Sequence, residues 1–233
     1  MNWWGTRQLG HSQEQTTALA GEGRAIIGVR PMEALRWVVL LLAIVSALAY
    51  LVLAVLAFNQ QFLEMDHTAL ALARSARHPH LESLMHTLSN VGSGYALVPL
   101  SVGMFVLLWR RGHPAARFVP AMVVGAYVVF ALTKWVVARP RPRLSAYGFP
   151  SAHTFGAVLF FGGLIYFLWT IELRRIWRWT GTVFLVLLIL GVAASRLYLR
   201  AHWLSDVLGG VAGGTAYLLF FLLAADPRLR PSR

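Results

Sequence analysis

Six long blocks of the sequence are apolar and almost free of charge, and short polar segments separate them. A helix needs about 20 mainly apolar residues to cross the hydrocarbon core of a bilayer. We therefore predict an all-α polytopic membrane protein, with a bundle of six transmembrane helices over residues 36–225. The uncharged blocks are Trp37–Leu63, Leu88–Trp109, Phe118–Thr133, Leu144–Ile171, Trp179–Ser195 and Val207–Ala225.

Two of these blocks are shorter than a span, and the helices should extend beyond them. We expect the third span to continue through Lys134 to about Ala138, and the fifth to continue past Arg196. Residues 58–90 mix charged and apolar positions at helical spacing, which predicts short amphipathic helices on the outer surface. Residues 1–35 and 226–233 are interpreted as polar tails.

The arginines are distributed unevenly between the two sides of such a bundle. Thirteen of the 21 basic residues fall on the side that carries both termini. Because cytoplasmic loops carry an excess of Lys and Arg, both termini are expected in the cytoplasm. Of the eight basic residues on the other side, six lie in two short stretches, 134–143 and 196–200. The concentration of basic residues in these two stretches needs an explanation other than topology.

Composition supports the membrane assignment. The chain has 233 residues, of which 58% are hydrophobic and 13% charged, about half the charged share of soluble domains. The absence of cysteine excludes disulfides, thiol catalysis and Cys-ligated metal. A net charge of +12 could indicate nucleic acid, but with this many apolar blocks it indicates a membrane protein with no nucleic-acid partner.

The first of the two basic stretches leads into the fourth span. The only lysine, Lys134, stands near the end of the third span, and two Arg-Pro pairs then end the helix because Pro disfavours helical backbone in the residue before it. The sequence Pro150–His153, PSAH, opens the next span, with Ser151 as a possible cap. Free N–H groups and the helix dipole favour an anion there. The stretch therefore predicts a phosphate site.

The second stretch, SRLYLRAHWLSD, carries a His–Asp pair. We predict that His202 begins the sixth span, with Asp206 one turn later on the same face. A carboxylate in that position holds the imidazole in one tautomer and stabilises its cation. All these groups lie at the outer ends of four spans, so they are expected to meet at one depth.

Simpler interpretations exist for individual residues. Arg139 and Arg143 could contact lipid headgroups. His67, His78, His80, Glu82 and His86 lie near one another in the sequence, but their spacing is not that of a known metal site. Gly209, Gly210, Gly213 and Gly214 have the small-residue spacing of close helix packing. Tryptophans near the span ends are interpreted as an interfacial belt. They are Trp37, Trp109, Trp169, Trp177 and Trp179.

Three motifs in this order resemble those of the type-2 phosphatidic acid phosphatase family of membrane lipid phosphatases. Lys134 is followed after six residues by Arg141-Pro142, so Arg139 is additional. Pro150-Ser151-Ala152-His153 matches Pro-Ser-Gly-His, with Ala152 in place of Gly. Ser195-Arg196, His202 and Asp206 match the third motif. The resemblance extends over residues 36–225.

The resemblance implies a role for each matched residue. His202 would attack phosphorus and become a phosphohistidine, Asp206 would orient it, and His153 would protonate the leaving oxygen. Backbone N–H groups near Ala152 and four side chains would hold the phosphoryl oxygens, with no metal and no cofactor. Those side chains are Lys134, Arg141, Ser151 and Arg196.

The substrate stays open at this stage. A site facing the exterior of a bacterial cytoplasmic (inner) membrane implies a lipid phosphate or pyrophosphate, and undecaprenyl pyrophosphate is favoured. Phosphatidylglycerophosphate, phosphatidic acid, lipid A phosphates and transfer of the phosphate to another lipid are alternatives. A lipid-binding protein or transporter is the alternative of a different class, but it has no need for an activated His–Asp pair. The sequence does not indicate an oligomeric state.

Overall fold

The structure, a computed structural model, describes residues 31–143 and 147–226. The two predicted tails lie almost wholly outside the described residues. Eight α-helices make up the described part, together with a 3₁₀ turn, Pro114–Arg117. The helices are α1 (Pro31–Phe58), α2 (Glu64–Ser75), α3 (Pro79–Val91), α4 (Gly94–Arg110), α5 (Phe118–Val137), α6 (Ala152–Thr170), α7 (Arg175–Tyr198) and α8 (Leu204–Ala225).

Five of these helices are long and apolar enough to cross a membrane by themselves: α1, α5, α6, α7 and α8. A sixth span arises if α3 and α4 are counted together, since they meet at a bend of 42°. The all-α fold and the multi-span membrane organisation are therefore confirmed.

The second predicted span has a different form from the one expected. The sequence indicated a continuous helix over Leu88–Trp109, but the helix breaks between Val91 and Gly94. Gly92 is at the break and faces the side chain of Val192 in α7, where a Cβ would not fit. The segment that was predicted to form short amphipathic helices contains two, α2 and α3, and α3 runs on into this span.

Of two further boundaries, one agrees with the prediction and one differs from it. The fourth span begins at Ala152, as predicted, because Ser151 has extended backbone and its hydroxyl caps the helix by accepting from Thr154 N. The last span begins at Leu204, so His202 precedes the helix and does not start it. The extensions of α5 to Val137 and of α7 beyond Arg196 occur as predicted.

Helix α8 is the centre of the bundle and packs against α1 and α6. Its four glycines are buried and let neighbouring elements approach closely. A Cβ on Gly210 would lie 2.8 Å from the carbonyl oxygen of Ser151, and one on Gly214 would lie 3.0 Å from that of Phe155. The predicted packing role of these glycines is confirmed, and it brings the start of α6 against the first turns of α8.

The outer surfaces of the spans are apolar and exposed, as lipid-facing surfaces should be. On α1, residues such as Leu41, Leu48 and Val55 are each more than half exposed. The five tryptophans assigned to an interfacial belt are all exposed at or near helix ends.

Candidate active site

The charged residues singled out in the sequence come together at one end of the bundle. They are contributed by the last turns of α5 and α7, the loop before α6 and the first turn of α8. His153 lies within electrostatic range of Lys134, Arg141, Arg196 and His202. The predicted convergence of four span ends is therefore present.

The centre of this cluster is the His202–Asp206 pair. Both side chains are buried, and Nδ1 of His202 lies 3.4 Å from Oδ2 of Asp206, with no closer partner among the residues that the structure describes. The same carboxylate oxygen accepts a hydrogen bond from the backbone N–H of Trp203. Burial lowers the pKa of His202 to about 4, although Asp206 acts in the opposite direction. The imidazole is therefore neutral near pH 7, with Nε2 on the side of the ring away from Asp206.

Arg139 does not lie where the lipid-headgroup interpretation would place it. It is 1% exposed and forms ion pairs with both Asp66 and Asp206. It also donates to the hydroxyl of Ser205 and to the carbonyl of Gln61. A guanidinium with four such acceptors is held within the protein, so that interpretation is wrong for Arg139. Arg143, the other arginine given the same interpretation, is exposed.

Lys134 and Arg141 converge on one backbone oxygen. Nζ of Lys134 donates to the carbonyl of Tyr147 at 2.6 Å, and Nη2 of Arg141 donates to the same oxygen at 3.4 Å. Two cations around a single acceptor form a site suited to a phosphoryl oxygen. Buried Nε of Arg141 has no acceptor within the described residues and remains available to an anion.

Arg196 completes the basic cluster from the last turn of α7. Its Nη1 donates to the hydroxyl of Ser89, which lies in α3. The side chain is largely buried, and its Nε has no acceptor within the described part of the chain. The kinked second span therefore contributes to the site by fixing this guanidinium.

The N-terminus of α6 faces the same cluster. Ser151 is completely buried, and its hydroxyl is shared with the hydroxyl and N–H of Thr154. Its own N–H donates to the carbonyl of Asp206 at 3.0 Å, which ties α6 to α8. Ser151 therefore shapes the helix start, while the N–H groups of Ala152 and His153 follow it in the first turn, where helix N–H groups have no intrahelical acceptor.

Two apolar cavities extend from the site along α6. The first, here called the near cavity, has a volume of about 280 Å³ and is lined by Ala152 and His153. The second, called the far cavity, measures about 480 Å³ and reaches Thr170 at the other end of α6. Both share Ser101, Met122 and Phe160 in their walls, so they adjoin.

Four residues of this arrangement were not identified from the sequence. Asp66, Ser89 and Ser205 hold the charged side chains, and Phe62 covers the guanidinium of Arg139 at 4.6 Å. Asp66 could have been suspected, since acidic residues are few, but its partner is 73 positions away. Nothing in the sequence separates Ser89 or Ser205 from other helix serines.

The family model of the PAP2 superfamily matches residues 114–230 of the chain, which are 117 of its 233 residues. The chain belongs to the PAP2 superfamily. It is a membrane lipid phosphatase of the PAP2 type, and the family resemblance read from the three motifs is confirmed.

Two curated relatives are bacterial proteins. Phosphatidylglycerophosphatase B of Bacillus subtilis (strain 168) is 27% identical over 186 residues, which cover 76% of this chain and 90% of the relative. The putative undecaprenyl-diphosphatase YbjG of Escherichia coli (strain K12) is 31% identical over 133 residues, 51% of this chain and 61% of that protein.

The same fold occurs in a solved crystal structure, that of a transmembrane PAP2-type phosphatidylglycerolphosphate phosphatase from Bacillus subtilis. The TM-score is 0.68 at 21% identity, with 77% of this chain and 93% of the other covered. This likeness supports the fold, and the remaining inferences depend on the site itself.

Proposed function

We propose that the protein hydrolyses a polyprenyl pyrophosphate, with undecaprenyl pyrophosphate as the favoured substrate, through a phosphohistidine on His202. The observation that carries the proposal is the continuity between the charged site and the apolar cavities. His153 belongs to both, so a phosphate held by the cations would have its lipid chain in the near cavity.

The chemistry follows from the positions of the two histidines. Nε2 of neutral His202 donates its electron pair to phosphorus while the bond to the leaving oxygen breaks. His153 gives that oxygen a proton. Asp206 stabilises the imidazolium that forms. Water then attacks phosphorus, His153 takes its proton, and the P–N electron pair returns to His202. Lys134, Arg141, Arg196 and N–H groups near Ala152 hold the phosphoryl oxygens, and Ser151 positions these N–H groups.

The extent of the cavities favours a long chain. The 19 residues of α6 span about 28 Å at 1.5 Å per residue, and the cavities line it from Ala152 to Thr170. The hydrocarbon core is about 30 Å thick, so an acyl chain of a phospholipid reaches about half that distance. A polyprenyl chain exceeds one leaflet and could occupy both cavities.

Phosphatidylglycerophosphate is the second candidate, because the relative with that activity in its name is covered over 90% of its length. For either substrate we place the site at the outer face of a bacterial cytoplasmic membrane, with both termini in the cytoplasm. This orientation is supported by the uneven distribution of arginine between the two sides of the bundle.

The test is phosphate release by purified protein in detergent, with EDTA, from undecaprenyl pyrophosphate, farnesyl pyrophosphate, phosphatidylglycerophosphate and phosphatidic acid. We expect the highest kcat/KM for the long polyprenyl substrate and no turnover by His202→Ala. A preference for phosphatidylglycerophosphate would select the second candidate. Turnover by His202→Ala close to wild type would refute the phosphohistidine.

A variant at the junction of the cavities tests the chain-length argument separately. Met122→Trp should reduce kcat/KM for undecaprenyl pyrophosphate while leaving that for farnesyl pyrophosphate largely unchanged. Val124→Trp on the same helix is the matched control, because Val124 is 62% exposed on the outer surface of the bundle. Equal losses for both substrates in Met122→Trp would argue against a chain in the far cavity.

A further inference from the structure

A buried cluster of two carboxylates and one guanidinium lies directly behind the His202–Asp206 pair. Asp66, Arg139 and Asp206 are each 1% exposed or less. Nη1 of Arg139 lies 3.1 Å from Oδ1 of Asp206, and Nη2 lies 3.3 Å from Oδ2 of Asp66. Burial of charges without water requires that each be paired and hydrogen-bonded. Each charge of the cluster has an opposite charge within 3.3 Å, but only with all three members present.

The hydroxyl of Ser205 joins the two halves of the cluster. It accepts from Nη1 of Arg139 at 2.7 Å and donates to Oδ2 of Asp66 at 2.8 Å. Asp66 also accepts from the backbone N–H of Ser205 at 2.7 Å and from that of Leu63 at 3.1 Å. The connection between α1 and α2 is therefore fastened to the first turn of α8, which is the turn that carries Asp206.

The two oxygens of Asp206 have separate partners. Oδ1 faces Arg139, whereas Oδ2 faces His202 and the N–H of Trp203. Because Oδ1 is bonded to a buried guanidinium, the carboxylate cannot rotate freely. Its second oxygen therefore stays directed at the imidazole. Phe62 covers the face of that guanidinium, Gln61 accepts from its Nη2, and the side chain is 1% exposed, so Arg139 is enclosed by protein and not open to a substrate.

We propose that Arg139 is a positioning residue for the nucleophile and acts through Asp206. Asp66 and Ser205 hold the guanidinium of Arg139 in place. The proposal rests on the proposed function of His202. When the imidazole bonds to phosphorus it becomes cationic, and the carboxylate of Asp206 must stay directed at it. Arg139 holds that carboxylate in place through its contact with Oδ1. Asp66 balances the charge of Arg139, so the cluster keeps one net negative charge for the imidazolium.

The experiment compares Arg139→Met with Arg141→Met on the same lipid substrate. A positioning role predicts that Arg139→Met lowers kcat about 10–100-fold, the loss typical of groups that orient a catalytic ligand, with KM nearly unchanged. Arg141→Met should instead raise KM and weaken binding of inorganic phosphate. Arg143→Met is the control for removing a loop arginine, because Arg143 is exposed, and it should keep wild-type kcat.

A readout other than turnover separates positioning from partial unfolding. Calorimetric titration with inorganic phosphate should give full site occupancy and an unchanged Kd for Arg139→Met. A loss of sites in proportion to the loss of kcat would overturn the proposal in favour of a structural role. A raised KM and Kd with kcat retained would place Arg139 on the substrate and would equally overturn it.

Two further variants keep the test valid if Arg139→Met does not fold. Ser205→Ala removes the hydroxyl that accepts from Arg139 without changing the charge of the cluster. It should lower kcat several-fold and leave the Kd for phosphate unchanged. Asp66→Asn combined with Ser205→Ala should lose little more than the worse single variant, because both act through Arg139. Wild-type kcat in both single variants would refute the role of Asp66 and Ser205 in holding Arg139. Failure of His202→Ala to abolish turnover would refute the nucleophile itself, which is a different result.

Discussion

Asp206 stands in the first turn of α8 and His202 lies just before that helix, yet Oδ2 of Asp206 is 3.4 Å from Nδ1 of His202. The short connection through Trp203, whose N–H donates to the same carboxylate oxygen, folds the imidazole back over the helix start. The geometry of the helix N-terminus therefore brings the two side chains together. They do not lie one turn apart on the face of one helix, as the sequence predicted.

This relationship predicts the effect of changing Asp206. Asp206→Asn should keep the side-chain volume but remove the charge that stabilises the imidazolium, and kcat should fall by up to about 10⁴-fold, as in other His–Asp pairs. Steady-state kinetics on a lipid phosphate would measure this. Ser83→Ala, on the exposed side of α3, is a control for a polar substitution outside the site. Retention of more than a tenth of wild-type kcat in Asp206→Asn would contradict the assigned role.

The low pKa of His202 predicts the acid limb of the pH profile. The nucleophile must be neutral, and burial lowers its pKa to about 4 from an ordinary value of about 6.5. Below pH 6.5 the unfolded chain binds this proton more readily than the fold does, so stability should decrease between about pH 6.5 and 4 while the folded fraction stays active.

The measurement is kcat/KM against pH at short assay times, with thermal unfolding at each pH. Asp206→Asn should move the acid limb to still lower pH, because the carboxylate that favours the charged imidazole is gone. An acid limb near pH 6.5 in the wild-type protein would contradict a lowered pKa for His202.

His153 should be needed only for substrates whose leaving group requires a proton. A lipid alkoxide leaves poorly, whereas nitrophenolate leaves without protonation. His153→Ala should therefore lose about 10²–10⁴-fold on a lipid monophosphate but much less on nitrophenyl phosphate. His202→Ala should abolish turnover of both. Equal losses on both substrates in His153→Ala would instead indicate that His153 holds phosphate.

Close packing of α8 on the start of α6 should make Gly210 sensitive to a single methyl group. A Cβ there would lie 2.8 Å from the carbonyl oxygen of Ser151 and 3.2 Å from the backbone N of Phe155, neither of which can move independently. Gly210→Ala should cost about 1–3 kcal/mol of stability and lower kcat by displacing Ser151. Gly103→Ala in α4 is the control, because within the described residues no neighbouring side chain or other element lies within 4 Å of its Cβ position. Unchanged unfolding of Gly210→Ala would contradict the packing.

The proposed orientation can be tested by labelling, since the chain contains no cysteine. His80→Cys, at the site end of the bundle, should react with an impermeant thiol reagent added to intact cells. Arg111→Cys follows α4 at the opposite end and should react only after the membrane is opened. The reverse pattern would place the site on the cytoplasmic side.

Several features of this protein could be predicted from the sequence because they depend on local composition and spacing. The membrane spans follow from long uncharged blocks, and the helix start at Ala152 follows from Pro150 and Ser151. The candidate site residues could be singled out because a charged side chain at the end of a membrane span is costly unless it pairs or binds a ligand. The small-residue spacing of α8 was enough to predict close packing.

Other features were decided only by the tertiary structure. Arg139 and Arg141 are two residues apart on one loop, yet the first is buried between Asp66 and Asp206 whereas the second shares the Tyr147 carbonyl with Lys134. The alternating Arg and Pro residues of the loop do not indicate which guanidinium is buried. The outcome depends on an acid 73 positions earlier, on Ser205 and on the ring of Phe62. The cost of burying a charge is met only by partners that the fold brings together, and that is why the sequence did not distinguish a lipid-binding arginine from the one behind the His202–Asp206 pair.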